Sequence, residues 1–195
     1  MIAVTPVMRA VAILCLLARV AAAGGYGAAR VGVAVTSGSD TSYGLGDDPT
    51  PSGPAPWVDG EAGYRTGTIV IAGFAGYVPK QDMHGLFNST GHVSCEMYDT
   101  ITDSWLEAGV RLRSVGTHGF YGVGAGAQYE RKSTTCDATG MRVDAHAVHT
   151  LAELHTGYTF DPVAGMRPQL YMSLTFGAGG SEGTASLRLA LGVQF

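Results

Sequence analysis

The chain has 195 residues, a size that fits a single domain, and its composition does not change along its length. Only 14% of the residues are charged, 29 are glycine, and the formal net charge is −4, which argues against a general nucleic-acid-binding protein. The sequence contains no phosphate-binding loop, dinucleotide-binding fingerprint or metal-type cysteine cluster, so we expect no metal and no cofactor.

The first residues are typical of an export signal. Arg9 precedes the apolar run AVAILCLLA, and the small residues that follow suit cleavage after Ala23. The apolar segment is short and contains Arg19, so we do not expect a transmembrane helix. The sequence therefore predicts a signal peptide over residues 1–23 and a mature domain over residues 24–195.

The rest of the chain alternates between polar and apolar residues, the period of a β-strand with two different faces. Turns and loops separate these segments, and no segment has a sustained helical period. The pattern predicts an all-β protein of eight strands, near 26–36, 57–66, 68–78, 103–114, 119–132, 145–160, 167–178 and 184–195.

The connections between the strands alternate in length. Long ones are expected at 37–56, 79–102 and 133–144, and short ones at RTGT, SVGTHG and DPVAGM; GGSEG, on the long side, is also brief. In a meander this places the long loops at one end of the sheet and the tight turns with both termini at the other. Such asymmetry is typical of a bacterial outer-membrane barrel.

The last strand shows the two faces most clearly. Leu187, Leu189 and Leu191 share one parity, while Arg188 and Ala190 share the other. Only the third predicted strand does not separate its faces. Aromatic residues of the apolar parity gather near strand ends, as expected at two lipid–water boundaries. These residues are Tyr64, Tyr121, Tyr158, Phe160 and Phe195 near the short turns, and Tyr129 and Phe176 near the long loops.

The polar face is rich in small residues and carries balanced charges, whereas the surface of a soluble barrel would be rich in lysine and glutamate. We interpret it as the inside of a narrow barrel, filled by a paired arginine–carboxylate network. The predicted members are Arg30, Asp59, Glu61, Arg65, Glu107, Arg111, Arg113, Glu130, Glu153 and Arg188. The alternative is a soluble lipocalin-like barrel with the apolar face inside.

The mature chain resembles the small eight-stranded outer-membrane barrels of the OmpA/OmpX type. The terminal LRLALGVQF is similar to the aromatic-ended last strand that the barrel-assembly machinery recognises in that family, which assigns the assembly signal to Leu191, Val193 and Phe195. The resemblance implies an eight-stranded antiparallel up-and-down transmembrane β-barrel in a Gram-negative outer membrane, monomeric and in contact with lipid and lipopolysaccharide. It brings no functional motif, so the expected role is structural or interactive: envelope integrity, adhesion or binding by the outer loops.

Export leaves two cysteines, Cys95 and Cys136, in the second and third predicted outer loops. In an oxidising compartment they can form a disulfide that clamps these loops, and the alternative is two free thiols. Near the same end, Arg131, Lys132 and Arg142 are candidates for pairing with lipopolysaccharide phosphates.

Two other functions stay open. His149, Glu153 and His155 share the inward parity of the sixth strand, near Tyr171 and Ser173 of the seventh, and could form a lipid-hydrolysing site. A metal site that includes His146 is less favoured, because His146 has the opposite parity. A narrow pore is the remaining alternative, although paired arginine and glutamate side chains should plug eight strands.

Overall fold

The computed structural model describes residues 25–39, 50–85, 99–136, 141–179 and 182–195. The predicted signal segment 1–23 and Cys95 lie outside these ranges. No helix among the described residues is long and apolar enough to cross a bilayer. The strands are β1 (Tyr26–Ser39), β2 (Thr50–Thr66), β3 (Ile69–Gly85), β4 (Asp99–Val115), β5 (Gly119–Cys136), β6 (Met141–Thr159), β7 (Arg167–Gly179) and β8 (Glu182–Gln194).

The eight strands form a closed barrel in which each strand is antiparallel to its neighbours in sequence and β1 pairs with β8. In the closing seam Arg30 is opposite Gly192 and Val31 is opposite Leu191. Phe195 extends the seam by one residue, because its N–H and C=O bond to the C=O and N–H of Gly27 at 3.0 and 3.1 Å. The predicted eight-stranded antiparallel up-and-down barrel is confirmed.

The strands are longer than predicted at the long-loop end, which we call the mouth. β2 begins at Thr50 rather than near residue 57, and Pro54 is already opposite Val35 of β1. The predicted loops at 37–56, 79–102 and 133–144 are therefore partly strand. The prolines and polar residues of these segments are typical of loops. The strands there pair through backbone hydrogen bonds, which do not require the alternation of polar and apolar residues that identifies a strand in a sequence.

Two seams of the wall open at the mouth. β2 and β3 pair up to Val58 opposite Tyr77, and β6 and β7 pair up to Thr150 opposite Ala178. Within the described ranges the ladders between these strands go no further, although β2 and β6 each continue for eight or nine residues towards the mouth, to Thr50 and Met141. Strands β3 to β6 thus rise beyond the closed part of the barrel.

The two faces of the wall are sharply different. On β8, Leu187, Leu189 and Leu191 are 52%, 55% and 64% exposed, whereas Arg188 and Ala190 are buried. Every strand exposes large apolar side chains on its outer face and the charged side chains are buried inside, so the alternative of a soluble barrel with the apolar face inside is wrong. The faces of β3 were unclear from the sequence because both are apolar: Val70, Phe74 and Val78 line the interior, while Ile69, Ile71 and Tyr77 are exposed.

The tight turns lie at the opposite end, which we call the turn end. In the β6–β7 connection Val163 and Met166 exchange two backbone hydrogen bonds of 2.7 and 3.1 Å around Ala164 and Gly165. Both central residues have positive φ, 52° and 81°, as a type I′ turn requires. Between β2 and β3 only the first central residue, Gly67, has positive φ, 59°, which is the pattern of a type II′ turn.

Ala164 is the only non-glycine residue with positive φ in the described part of the chain, so replacing it with glycine should relieve backbone strain. We expect Ala164→Gly to raise the free energy of unfolding by about 0.5–1 kcal/mol, after the entropy that glycine loses on folding. Urea titration of the refolded protein in lipid vesicles, followed by tryptophan fluorescence, measures the change. Gly165→Ala is the control and should be destabilising; a less stable Ala164→Gly would contradict the turn assignment.

Candidate functional site in the barrel lumen

Eight charged side chains are buried inside the barrel, and none has more than 5% of its surface exposed. Four are arginines and four are carboxylates, so their formal charges cancel. All project from the polar parity of strands whose other parity is apolar, which is why they meet in the interior. They are Arg30, Asp59, Glu61, Glu107, Arg111, Arg113, Glu153 and Arg188.

Arg111 of β4 lies at the centre. Its Nε and Nη2 donate to the two carboxylate oxygens of Glu153, both at 2.9 Å, in a bidentate pair. Its Nη1 donates to Asp59 Oδ2 at 2.7 Å and to Glu61 Oε2 at 3.1 Å. A planar guanidinium provides donors in fixed directions, so one arginine can hold three carboxylates at once, which a lysine could not do with the same geometry.

A second group of contacts lies towards the turn end. Arg30 donates to Asp59 and Glu61, and Arg113 donates to Glu61 and to the Tyr26 hydroxyl. The Tyr26 hydroxyl in turn donates to Glu61. Glu61 therefore accepts hydrogen bonds from four side chains, and this number of partners compensates the desolvation of its charge.

Arg188 and Glu107 form a separate pair closer to the mouth. Arg188 Nη1 and Nη2 donate to the two oxygens of Glu107 at 2.6 and 2.7 Å, and Trp57 Nε1 donates to Glu107 Oε1 at 3.0 Å. Gly76 lies next to this carboxylate, and a Cβ at that position would overlap it. The glycine of the small-residue face thus makes room for a buried acid.

Aromatic rings separate the charged layers. Arg111 lies 4.0 Å over the ring of Phe74, and Arg30 lies 4.3 Å over the ring of Tyr171. Trp57 stacks on Tyr171 with ring centroids 5.9 Å apart. Cation–π contacts of this kind are most favourable when the cation is desolvated. Sequence reasoning did not include Trp57 and Phe74 in the site, although Trp57 shares the parity of Asp59.

The structure places the two remaining predicted members elsewhere. Glu130 is half-buried near the mouth, where its Oε2 lies 2.8 Å from His149 Nε2. Arg65 is exposed at the turn end and donates to the carbonyl of Gly67 at 3.0 Å. Arg65 is therefore not part of the buried cluster, and the prediction is wrong for this residue. Parity gave its face correctly, but the strand ends one residue later, beyond the closed interior.

The residues of the possible hydrolytic site are divided. Glu153 Oε1 lies 2.9 Å from His155 Nδ1, and Ser173 is the cross-strand partner of His155. His149 instead contacts Glu130, so the three residues predicted to act together do not. Within the described residues, His155 Nε2 and Ser173 Oγ have no hydrogen-bond partner.

Catalysis at this point is opposed by burial. Ser173 is only 1% exposed, and the Glu153 carboxylate is already held by Arg111 and by the Tyr171 hydroxyl, which donates at 2.6 Å. A depression of about 600 Å³ on the wall passes His155 and Ser173, but outward apolar side chains such as Leu154 and Met172 form most of it. A lipid ester on the outside would have to cross the wall to reach the serine hydroxyl.

The other predicted site residues are at the ends of the barrel. Leu191 is exposed on the outer face, and Val193 and Phe195 are half-buried at the turn end. Arg131 is exposed near the mouth. The side chains of Cys136, Lys132 and Arg142 lie outside the described residues, as does Cys95, so the structure gives no geometry for the disulfide. In the described ranges no group of three or more His, Cys, Asp or Glu side chains could hold a metal.

Solved structures of bacterial surface proteins share this architecture. Ail of Yersinia pestis, solved with the heparin analogue sucrose octasulfate, superposes with a TM-score of 0.62 at 8% identity, over 88% of this chain and 99% of that one. The chain has the fold of the small outer-membrane barrels. Neisserial surface protein A superposes with a TM-score of 0.51 at 15% identity, over 88% and 96%. No family model and no curated protein matches the sequence.

Removing Arg111 should leave Glu153 without an arginine partner and the buried cluster with one uncompensated negative charge. We expect Arg111→Ala to lower the free energy of unfolding by about 3–5 kcal/mol. Arg65→Ala is the matched control, and because Arg65 is exposed its effect should be within about 0.5 kcal/mol. Urea titration of both variants in vesicles makes the comparison. Equal effects would show that the buried cluster does not stabilise the barrel.

Proposed function

We propose that this chain is an exported, monomeric outer-membrane protein of a Gram-negative bacterium, with a structural or interactive role performed at its mouth and outer loops. One observation carries the proposal: the wall is apolar outside and ion-paired inside. The outward face contains exposed leucines, valines and isoleucines, such as Val31, Leu112 and Leu189, which water would not favour over so large an area. A bilayer is the solvent in which this face is stable.

The outward aromatic rings support the same orientation. Tyr64, Tyr121 and Tyr158 are exposed around the turn end, and Tyr129 and Phe176 are exposed on the mouth side. Tyrosine and phenylalanine rings at two levels favour the two interfaces of a bilayer. We infer that the turn end faces the periplasm, with the signal segment 1–23 removed, and that Leu191, Val193 and Phe195 guide assembly by the barrel-assembly machinery.

The mouth then faces the cell exterior, where lipopolysaccharide surrounds the barrel. Arg131, together with Lys132 and Arg142 in sequence, is available to pair with its phosphates. Cys136 is the last residue of β5 rather than a residue of the third outer loop, so a disulfide between Cys95 and Cys136 would tie the second outer loop to that strand end. Ail was solved with a sulfated sugar, but the first outer connection of this chain, residues 40–49, has three aspartates and no basic residue in its sequence. We therefore do not extend that ligand to this chain.

The orientation in lipid is tested by placing a charge on the outer face. Leu189, on the middle of β8, is 55% exposed, so Leu189→Lys would be harmless if this face met water. In a bilayer we expect a loss of about 2–4 kcal/mol of unfolding free energy. Thr66→Lys, at the exposed turn end, is the control and should be nearly neutral. Boiled and unboiled samples on a detergent gel first establish that each variant forms a heat-modifiable barrel; an unaffected Leu189→Lys would overturn the membrane assignment.

A structural role also predicts that the lumen does not conduct ions. Arg111 and its three carboxylates bridge the interior, and Trp57 and Tyr171 fill the space beside them. Eight strands leave room only for such side chains. In planar bilayers we expect the purified wild-type barrel to be silent up to high voltage. Steady single-channel currents from the wild type would instead favour the narrow pore.

A further inference from the structure

Three polar side chains lie side by side on the outer face of β5 and β6, on the mouth side of the apolar wall, and we call them the rim site. Arg131 of β5 is the direct cross-strand partner of His146 of β6, and Tyr129 is the outward residue of β5 next to Arg131. All three are exposed. Side chains directly opposite on adjacent strands have Cβ atoms about 5 Å apart, so Arg131 and His146 can contact one ligand group together.

Tyr129 orients the imidazole of His146. The two rings stack with centroids 5.9 Å apart and planes inclined by 13°, and the Tyr129 hydroxyl lies 3.0 Å from His146 Nδ1. When this hydroxyl donates to Nδ1, the ring hydrogen is on Nε2, at the opposite edge of the imidazole, and Nε2 is a donor. The contact therefore leaves one nitrogen of His146 to donate to a ligand.

The rim site lies where the outer face of the wall changes from apolar to polar. The row of cross-strand partners that contains Tyr129 also contains Leu106 and Val148, which are 55% and 66% exposed. The next outward row towards the mouth contains Arg131 and His146. In the orientation proposed above, this step is the boundary between the hydrocarbon and the headgroups of the outer leaflet. A lipid whose acyl chains lie against Leu106 and Val148 therefore has its headgroup beside Arg131 and His146.

The donors of the rim site define the chemistry of that headgroup. The guanidinium of Arg131 offers two parallel N–H groups, and His146 Nε2 offers a third. A phosphate monoester has three terminal oxygens and a charge of about −1.5 to −2 at pH 7, whereas the phosphodiester of a phospholipid has two such oxygens and a single negative charge. Asp144, the next outward residue of β6 towards the mouth, already interacts with another group. The rim site thus fits a monoester better than a diester.

We propose that the rim site binds a phosphate monoester of lipid A, the acylated disaccharide of lipopolysaccharide. Arg131 donates to two of the phosphate oxygens and His146 Nε2 donates to the third, while the acyl chains lie against Leu106 and Val148. The inference rests on the outer-membrane orientation proposed above. It adds two residues, His146 and Tyr129, that sequence reasoning did not assign to lipopolysaccharide.

The test compares three lipids. The wild-type barrel, refolded in a detergent without phosphate, is titrated with lipid A, with lipid A from which the phosphates have been removed, and with phosphatidylglycerol, a diester. Native mass spectrometry counts the bound lipid. We expect lipid A to bind about tenfold more strongly than either comparison lipid, the effect of one charge-assisted hydrogen bond. Equal binding of dephosphorylated lipid A would show that the phosphate is not recognised, and equal binding of phosphatidylglycerol would show that a monoester is not selected; either result overturns the proposal.

Two variants locate the phosphate. Arg131→Gln and His146→Gln should each weaken lipid A binding about tenfold and leave the binding of dephosphorylated lipid A unchanged. Arg65→Gln is the matched control, because it removes an exposed arginine at the turn end, and its affinity for lipid A should equal that of the wild type. Unchanged lipid A binding by Arg131→Gln and His146→Gln, or an equal loss in all three variants, would show that the rim site does not hold the phosphate.

This result is separable from the test of the membrane orientation. Heat-modifiable gel mobility confirms that each variant is folded, and Leu189→Lys tests whether the wall faces lipid. If Leu189→Lys destabilises the barrel in vesicles while lipid A and its dephosphorylated form bind equally, the orientation stands and the rim site alone is wrong.

Discussion

The lumen depends on the guanidinium of Arg111. It projects from β4 and holds Asp59 and Glu61 of β2 on one side and Glu153 of β6 on the other. Neither β2 nor β6 pairs with β4 in the barrel wall. Arg111 therefore joins strands that the backbone ladder does not join, and the two halves of the wall are tied through the interior as well as round the circumference.

Such a cluster is better suited to defining the register than to adding stability. Taking eight charges out of water is expensive, and the attraction between them repays that cost only when the geometry is satisfied throughout. A slip of one residue between two strands would turn every side chain to the other face, moving Asp59 or Glu153 towards the outer apolar surface and leaving Arg111 unpaired. The ion pairs thus oppose wrong registers far more strongly than they favour the right one over an apolar core. Small residues such as Gly76 are needed for the same reason, because a larger side chain at that position would occupy the space of a buried carboxylate.

Parity along the strands predicted the strand number and the two faces, and eight of the ten charged side chains that it assigned to the interior are buried. Parity shows which face of the sheet a residue is on, but not how far along the barrel axis it lies. For that reason Arg65 was wrongly predicted to lie inside the barrel. Nor can alternation say which acid faces which arginine: Arg111 meets Glu153 across Gly124 of β5, a relation that the registers of three neighbouring strands determine. Trp57 and Phe74 were missed because an apolar residue on a polar face looks like an interruption of the pattern, whereas here it packs between the charges. The ends of the strands at the mouth were missed because they contain proline and polar residues, which are typical of loops, while their pairing is made by backbone hydrogen bonds.

The closed cluster also limits where this protein can act. A ligand that approaches from the turn end meets Arg30, Arg113 and Tyr26 with their hydrogen bonds already made to Glu61. A ligand that approaches the outer face of the wall meets exposed leucine and valine side chains. In the described residues the ladders between β2 and β3 and between β6 and β7 end on the mouth side, where the pair Glu130 and His149 lies between the buried charges and the outside. The same ion pairs that close the lumen therefore leave the mouth, where strands β3 to β6 rise above the closed barrel, as the place for the interactive role that we propose.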